Sequence, residues 1–592
     1  MQTTNTRSIV VMIMLLLLCT WSINGLATAA GNNENSSKES SKSSSRESEH
    51  NMATTSAYAY QASLTQPTSQ AIFNGIKAES AHTWTWLGIP YAKPPVGELR
   101  WRAPQAPTAT PAQTITATTL PQICTQLVND KVVGSEDCLY LNIYRPATTE
   151  ESLPVLVFLH GGGNVTGSGG SFDGSVLAAK TNAVIVTINY RLGLLGWMRS
   201  PALLTGNAAE DSGNFALLDQ IQALKWVQQH IASFGGNAAN VTLGGQSAGA
   251  RDVLALTISP LAKGLFVKAM PLSGGMTTSS PAQGEAYDNE KLAAVLVKAG
   301  KVQTIAEGVR YLKQTSPTEL AQTLRSLDSG LLVEAVGKVM IRMSEFPHLF
   351  TDGTVLPEQG FNIIDHGQYN RVPMLIGSMQ HEFNAFAAFD PIFFTSFMKN
   401  DWQPTLQKQF WQATAYGSEL YSSFNADQVA AKYSQDPQAQ NMYAYRFAWG
   451  LDGDGLKVPA KYLAATHGVD LDFLTGAFDK SAFAALFKHQ FYTAANEKGR
   501  LALADRYRDY VSNFLHGRSI QSGGLMPWST WQQSGKLMKL DATATTVYTE
   551  MIKGKPDADA LKTQIEASLT PQAKAVVWDK VLNGRFFFDP QY

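Results

Sequence analysis

Apolar and polar positions change rhythm several times along this chain, and each change predicts an element. Residues 9–19 (IVVMIMLLLLC) form an unbroken apolar run, too short to span a bilayer comfortably. Residues 31–56 then carry almost no apolar side chain and cannot offset their own ordering entropy. Beyond Ala57 two short continuous apolar runs appear, Val155–Leu159 and Ala183–Ile188. Runs of this kind predict central strands buried on both faces. Between Leu217 and Ile231 the rhythm switches: Leu217, Ile221, Leu224, Val227 and Ile231 recur every three to four residues. That predicts an amphipathic helix with Asp219, Gln222, Lys225 and Gln229 on its other face, stopped at Phe234-Gly235-Gly236-Asn237. Residues 241–244 (VTLG) predict another buried strand, and residues 248–256 (AGARDVLAL) a helix directly after it. Residues 372–377 (VPMLIG) predict a later strand. Strand, helix, strand, turn, helix is the order of an α/β chain with a wound, mostly parallel sheet. Residues 273–366 alternate helical patterns with turns and read as a helical insertion over one face.

The turn between residues 241–244 and the following helix reads Gly245-Gln246-Ser247-Ala248-Gly249. A serine on so sharp a strand-to-helix turn projects its hydroxyl from the sheet edge, and glycines two residues either side leave room for the bend. A serine hydroxyl is a poor nucleophile by itself. It needs a general base, an acid to orient that base, and donors for an oxyanion. His160-Gly161-Gly162-Gly163 follows the Val155–Leu159 run directly. The N–H groups of Gly162, Gly163 and Ala248 therefore form a candidate three-donor oxyanion hole. Three histidines lie late enough to be the base: His467 in a small-residue turn, His489 in an apolar-aromatic stretch, and His516 at a helix end. Glu382, just past residues 372–377, is the leading acid, with Asp352, Asp365 and Asp390 as rivals.

Charge and cysteine narrow the context. Lys plus Arg total 47 against 48 Asp plus Glu, a net charge of −1, so nothing favours a phosphate backbone as partner. With 44% hydrophobic residues the chain can bury a large core. Arg7, the apolar run and Ala27-Thr28-Ala29 have the form of an export signal cleaved after Ala29 or Ala30. The expected organisation is a signal peptide over 1–29, a disordered Ser-rich linker over 30–56 and one catalytic domain over 57–592. The mature protein is then secreted or periplasmic, with no stable membrane span. Cys124 and Cys138 remain after cleavage, either joined or as two free thiols. A bridge there would stabilise by roughly 3 kcal/mol in the chain-entropy model.

Together these motifs resemble the type-B carboxylesterases, a family that includes cholinesterases, bile-salt lipases and bacterial para-nitrobenzyl esterases. The likeness runs from about Ala71 to Trp531. It includes residues 87–92 (LGIPYA), 94–101 (PPVGELRW), 135–143 (SEDCLYLNI) and the whole stretch from Phe234 to Gly249. The resemblance implies the α/β-hydrolase fold, with a central mostly parallel sheet flanked by helices and long helical insertions over the active site. By position it implies Ser247 as nucleophile, Glu382 as acid, His467 as base, Gly162, Gly163 and Ala248 as oxyanion hole, and Cys124–Cys138 as the family's first disulfide. It implies ester hydrolysis through an acyl-enzyme, with a small-molecule ester as partner and no cofactor or metal. The same residues would equally serve a lipase, an amidase, or a polyester or thioester hydrolase. Relatives that act in adhesion have lost the nucleophile, which is present here.

The chain also departs from that family. Gln246 stands where a glutamate is usual, Asn164 where an aromatic is usual, and Phe383 where a glycine is usual. The Cys124–Cys138 loop has no tryptophan to hold a quaternary ammonium, which argues against choline esters. Gln246 is expected to tune the histidine, because removing a nearby carboxylate disfavours imidazolium.

Overall fold

The computed structural model describes residues 58–337, 343–450, 456, 458–487 and 490–588. The expected signal peptide and linker, and His489, lie outside these residues. Among the described residues the centre is an 11-stranded sheet. In chain order its strands are β1 (Ile76–Ala78), β2 (Thr83–Pro90), β3 (Tyr140–Pro146), β4 (Leu153–Leu159), β5 (Val184–Ile188), β6 (Gly236–Gln246), β7 (Lys268–Leu272), β8 (Met374–Met379), β9 (Met442–Phe447), β10 (Lys536–Ala542) and β11 (Val547–Lys553). Across the sheet they run β11-β10-β9-β8-β7-β6-β4-β5-β3-β2-β1. From β5 through β4 and on to β10 neighbours are parallel. β1, β2, β3 and β11 pair antiparallel at the two margins.

The apolar runs sit where burial on both faces demands them. Val155, Val157 and Leu159 of β4 join one core with Val186 and Leu243, while Leu156 and Phe158 join a second core with Ile185, Met270 and Leu375. This is the two-residue alternation of a strand with no polar face left over. Both cores are helix-covered, so the α/β-hydrolase architecture expected from the chain is the one observed. The insertion between β7 and β8 is helical as expected: Pro281–Lys298, Ile305–Gln314, Pro317–Ser326 and Ser329–Val336.

Helix α1 (Phe215–His230) exists as its periodicity predicts, but it has no solvated face at Asp219. Asp219 is fully buried, and its carboxylate accepts bonds from the Arg191 Nε (2.8 Å) and Nη2 (2.7 Å). A polar residue in the exposed phase of a helix is here an interior ion pair, because a loop supplies the guanidinium. Cys124 and Cys138 are disulfide-bonded, with Cα atoms 4.9 Å apart. No described helix is long and apolar enough to cross a membrane.

Candidate active site

The strand β6 ends at Gln246, and α2 (Ala248–Ile258) starts one residue beyond Ser247. Ser247 therefore carries the whole turn, at φ 58° and ψ −119°. Few non-glycine residues adopt this conformation, and here the surroundings over-determine it. The Ser247 N–H donates to Leu272 O at 2.9 Å, and its carbonyl accepts from the N–H groups of Ala250 and Arg251, each at 3.1 Å. The flanking glycines are required sterically. A Cβ on Gly245 would lie 2.5 Å from Gly249 O, and one on Gly249 would lie 2.3 Å from Leu159 O.

The loop after β4 passes alongside. Gly162 has φ +108°, and a Cβ there would sit 2.1 Å from Thr166 O. Among the described residues, no acceptor takes the N–H groups of Gly162, Gly163 or Ala248. Asn164 explains itself in this loop. It is buried at φ 61°, a left-handed conformation that asparagine tolerates, and its amide donates to Asp252 Oδ1 at 2.9 Å. Asp252 also accepts from Gln220 Nε2 at 2.6 Å, so Asn164 ties the glycine loop to α2 and α1. We expect Gly162→Ala to lower ester kcat by roughly 10²- to 10³-fold, because the loop cannot keep its donors aimed; steady-state kinetics checks this.

Glu382 follows β8 by three residues and is fully buried. Its Oε2 accepts from His467 Nδ1 at 2.6 Å. Its Oε1 accepts from Ser273 Oγ at 2.6 Å and from the Met379 N–H at 2.9 Å. Burial alone would raise this carboxyl; the imidazole and the two further donors outweigh it and hold the group below the ordinary carboxylate range. His467 enters from the segment after β9, just ahead of α3 (Val469–Thr475). Two contacts lash that segment to the Glu382 loop: the His381 N–H donates to Ala465 O at 3.0 Å, and the Ala385 N–H to Thr466 Oγ1 at 2.8 Å.

Residues 63–440 match the carboxylesterase family. The chain belongs to that family. It is similar to liver carboxylesterase 1 of Oryctolagus cuniculus, 30% identical over 512 residues, covering 77% of this chain and 85% of that protein. It is 40% identical to carboxylesterase 1D of Rattus norvegicus over 318 residues, which is 50% of this chain; in that match the chain spans 54% of the relative's length. Among solved structures it resembles a PNB esterase with a TM-score of 0.62 and 26% identity, covering 85% of this chain and 99% of that one. A Geobacillus stearothermophilus carboxylesterase aligns with a TM-score of 0.62 and 27% identity, over 82% and 98%.

Within this carboxylesterase-family chain the other sequence candidates have other partners. Asp352 accepts bonds from the N–H groups of Thr354, Val355 and Leu356 and so shapes its own loop. Asp365 pairs with Lys432, and Asp390 accepts from the Ile392 N–H. His516 ends a long helix and donates Nε2–H to Thr181 O at 2.8 Å.

Two features had no signal in the chain, and a third was legible only as a residue expected to tune the histidine. Ser273 is an ordinary residue after β7, yet it supports Glu382. Tyr421, at the end of α4 (Pro404–Ser422), stacks on the His467 ring at 5.7 Å and 7°, while Phe386 packs at 5.3 Å. These aromatics pack against the imidazole ring. The third is the position of the Gln246 side chain. With Nδ1–H given to Glu382, His467 Nε2 carries a lone pair, and Gln246 Nε2 donates to it at 3.1 Å. Gly161 leaves the space: a Cβ there would meet Gln246 Oε1 at 2.9 Å. The Ser247 hydroxyl has no hydrogen-bond partner among the described residues. Gln246→Glu places a carboxylate against the imidazole and favours its protonated form, so the acidic limb of kcat/KM should move to higher pH. A pH–rate profile of the variant that overlays the parent's would refute this.

Proposed function

We propose that this protein is a carboxylic ester hydrolase that works through an acyl-enzyme on Ser247. The observation that carries the reading is the buried His467–Glu382 pair, at 2.6 Å, bonded in turn to Gln246, the residue directly before a serine held on a strained elbow. His467 Nε2 exchanges the Gln246 amide for the Ser247 hydroxyl and takes its proton as Oγ bonds to the ester carbonyl carbon. The N–H groups of Gly162, Gly163 and Ala248, which have no other acceptor among the described residues, receive the developing oxyanion. Glu382 holds the tautomer with hydrogen on Nδ1 and stabilises the imidazolium. His467 then protonates the departing alcohol oxygen as the ester C–O bond breaks. Water, deprotonated by the same nitrogen, attacks the acyl-enzyme and releases the carboxylic acid with Ser247 restored.

The substrate is a small-molecule ester, and no step draws on a metal or cofactor. The Cys124–Cys138 disulfide suits an oxidising compartment, in keeping with an export signal over residues 1–29. The direct test is a pre-steady-state burst. Para-nitrophenyl acetate should release about one equivalent of para-nitrophenolate per enzyme before the steady rate, as an accumulating acyl-enzyme requires. Absence of any ester turnover in folded, purified protein would overturn the proposal.

A further inference from the structure

The helix that follows the nucleophile carries a buried charge in an otherwise apolar run. Arg251 lies one turn beyond Ser247, and its own N–H donates to Ser247 O. The residue is only 1% exposed. Nη1 reaches no more than the Met343 sulfur at 4.0 Å, and among the described residues Nε and Nη2 have no hydrogen-bond partner. The guanidinium rests 4.5 Å from the Phe586 ring centroid. A cation–π contact offsets part of the desolvation cost but leaves Nε and Nη2 without an acceptor among the described residues.

The neighbouring groups do not fill them. Asp252 is adjacent in sequence, but its oxygens are taken by Asn164 and Gln220, and burial pushes its carboxyl up to about 6. His348, packed on Phe586, gives Nδ1–H to Phe346 O at 2.7 Å; burial, with Arg251 nearby, holds it down to about 3, so it is neutral. The phenols of Tyr190 and Tyr421 also feel Arg251. The Tyr190 hydroxyl donates to His160 O. The Tyr421 hydroxyl is buried and, among the described residues, unpartnered. Tyr421 is the residue stacked on His467. A guanidinium on the helix that begins after Ser247 and a phenol on the ring stacked against His467 thus both carry donors with no acceptor among the described residues.

Building on the esterase reading, we propose that Arg251 binds a carboxylate carried by the substrate, so that the favoured substrates are esters bearing a second, ionised carboxyl group. The guanidinium fork matches two carboxylate oxygens, and an anion there supplies the acceptors that Nε and Nη2 lack among the described residues. The carboxylate can belong to the acyl part, as in a monoester of a dicarboxylic acid, or to the alcohol part. Phe586 covers one face of the guanidinium.

The test compares kcat/KM for charged and neutral esters of equal length in the full protein. The acyl arm sets para-nitrophenyl monoesters of adipic and suberic acids against para-nitrophenyl hexanoate and octanoate. The alcohol arm sets 4-acetoxybenzoate against phenyl acetate. In one arm the parent should accept the anion at least as well as its neutral partner. Arg251→Gln should lower that charged-to-neutral ratio by roughly ten- to hundredfold, the range for a lost hydrogen-bonded charge, while Arg251→Lys retains part of it. A merely structural arginine would depress both esters together and leave the ratio alone. If Arg251→Gln does not fold, Arg251→Lys and the parent ratios decide. A parent that rejects the anion in both arms, or a ratio that no substitution moves, overturns the proposal. Loss of turnover on every ester by the folded parent overturns the esterase reading with it.

Discussion

Ser247→Ala should reduce turnover of para-nitrophenyl butyrate by roughly 10⁴-fold or more, because without the hydroxyl no acyl-enzyme can form. The fold should survive. The Ser247 hydroxyl has no hydrogen-bond partner among the described residues, so its removal strands no polar group. The φ of 58° is unfavourable for serine and alanine alike, so the elbow's strain hardly changes. Thermal unfolding within a few degrees of the parent, with catalysis lost, is the expected pair of results. A variant that keeps the parent rate would remove Ser247 from the reaction.

Glu382→Gln should cost roughly 10⁴-fold in kcat, the scale known for the acid of serine triads, although it preserves shape. Oε1 accepts from Ser273 and from the Met379 N–H, so the carboxamide oxygen is drawn to that side. The NH₂ group then faces His467 Nδ1 and stabilises the tautomer with hydrogen on Nε2, which cannot accept the serine proton. The same substitution has a stability signature. The folded carboxyl of Glu382 is depressed below its ordinary range. Its contribution is therefore fully present above the unfolded pKa and is lost as pH falls through the folded one. The stability deficit of Glu382→Gln should shrink on acidification. Calorimetric melts across that range check the sign, and a deficit that grows would contradict it.

The elements easiest to read from the chain were those with one physical solution. β4, β5 and β6 are buried on both faces, which forces continuous apolar runs. The glycines at 162, 245 and 249 were legible because a Cβ at each would meet backbone within 2.6 Å. Local position left Glu382 and His467 among several candidates and the family resemblance selected them; the fold hydrogen-bonds the two. What stayed hidden depends on partners remote in sequence. Asp219 sits in the polar phase of α1, and only Arg191 makes its burial tolerable. Ser273 supports Glu382 from 109 residues away. Tyr421 covers His467 from the far end of α4. Gln246 stands out in the sequence beside the serine, but its hydrogen bond to His467 depends on the room left at Gly161.

One measurement bears most directly on the nucleophile. The parent protein is treated with a fluorophosphonate, digested and mapped by mass spectrometry. The account predicts a single stoichiometric adduct on Ser247, loss of ester hydrolysis in proportion to labelling, and no adduct in Ser247→Ala. Full labelling at a different residue, or complete inactivation with Ser247 unmodified, would contradict it.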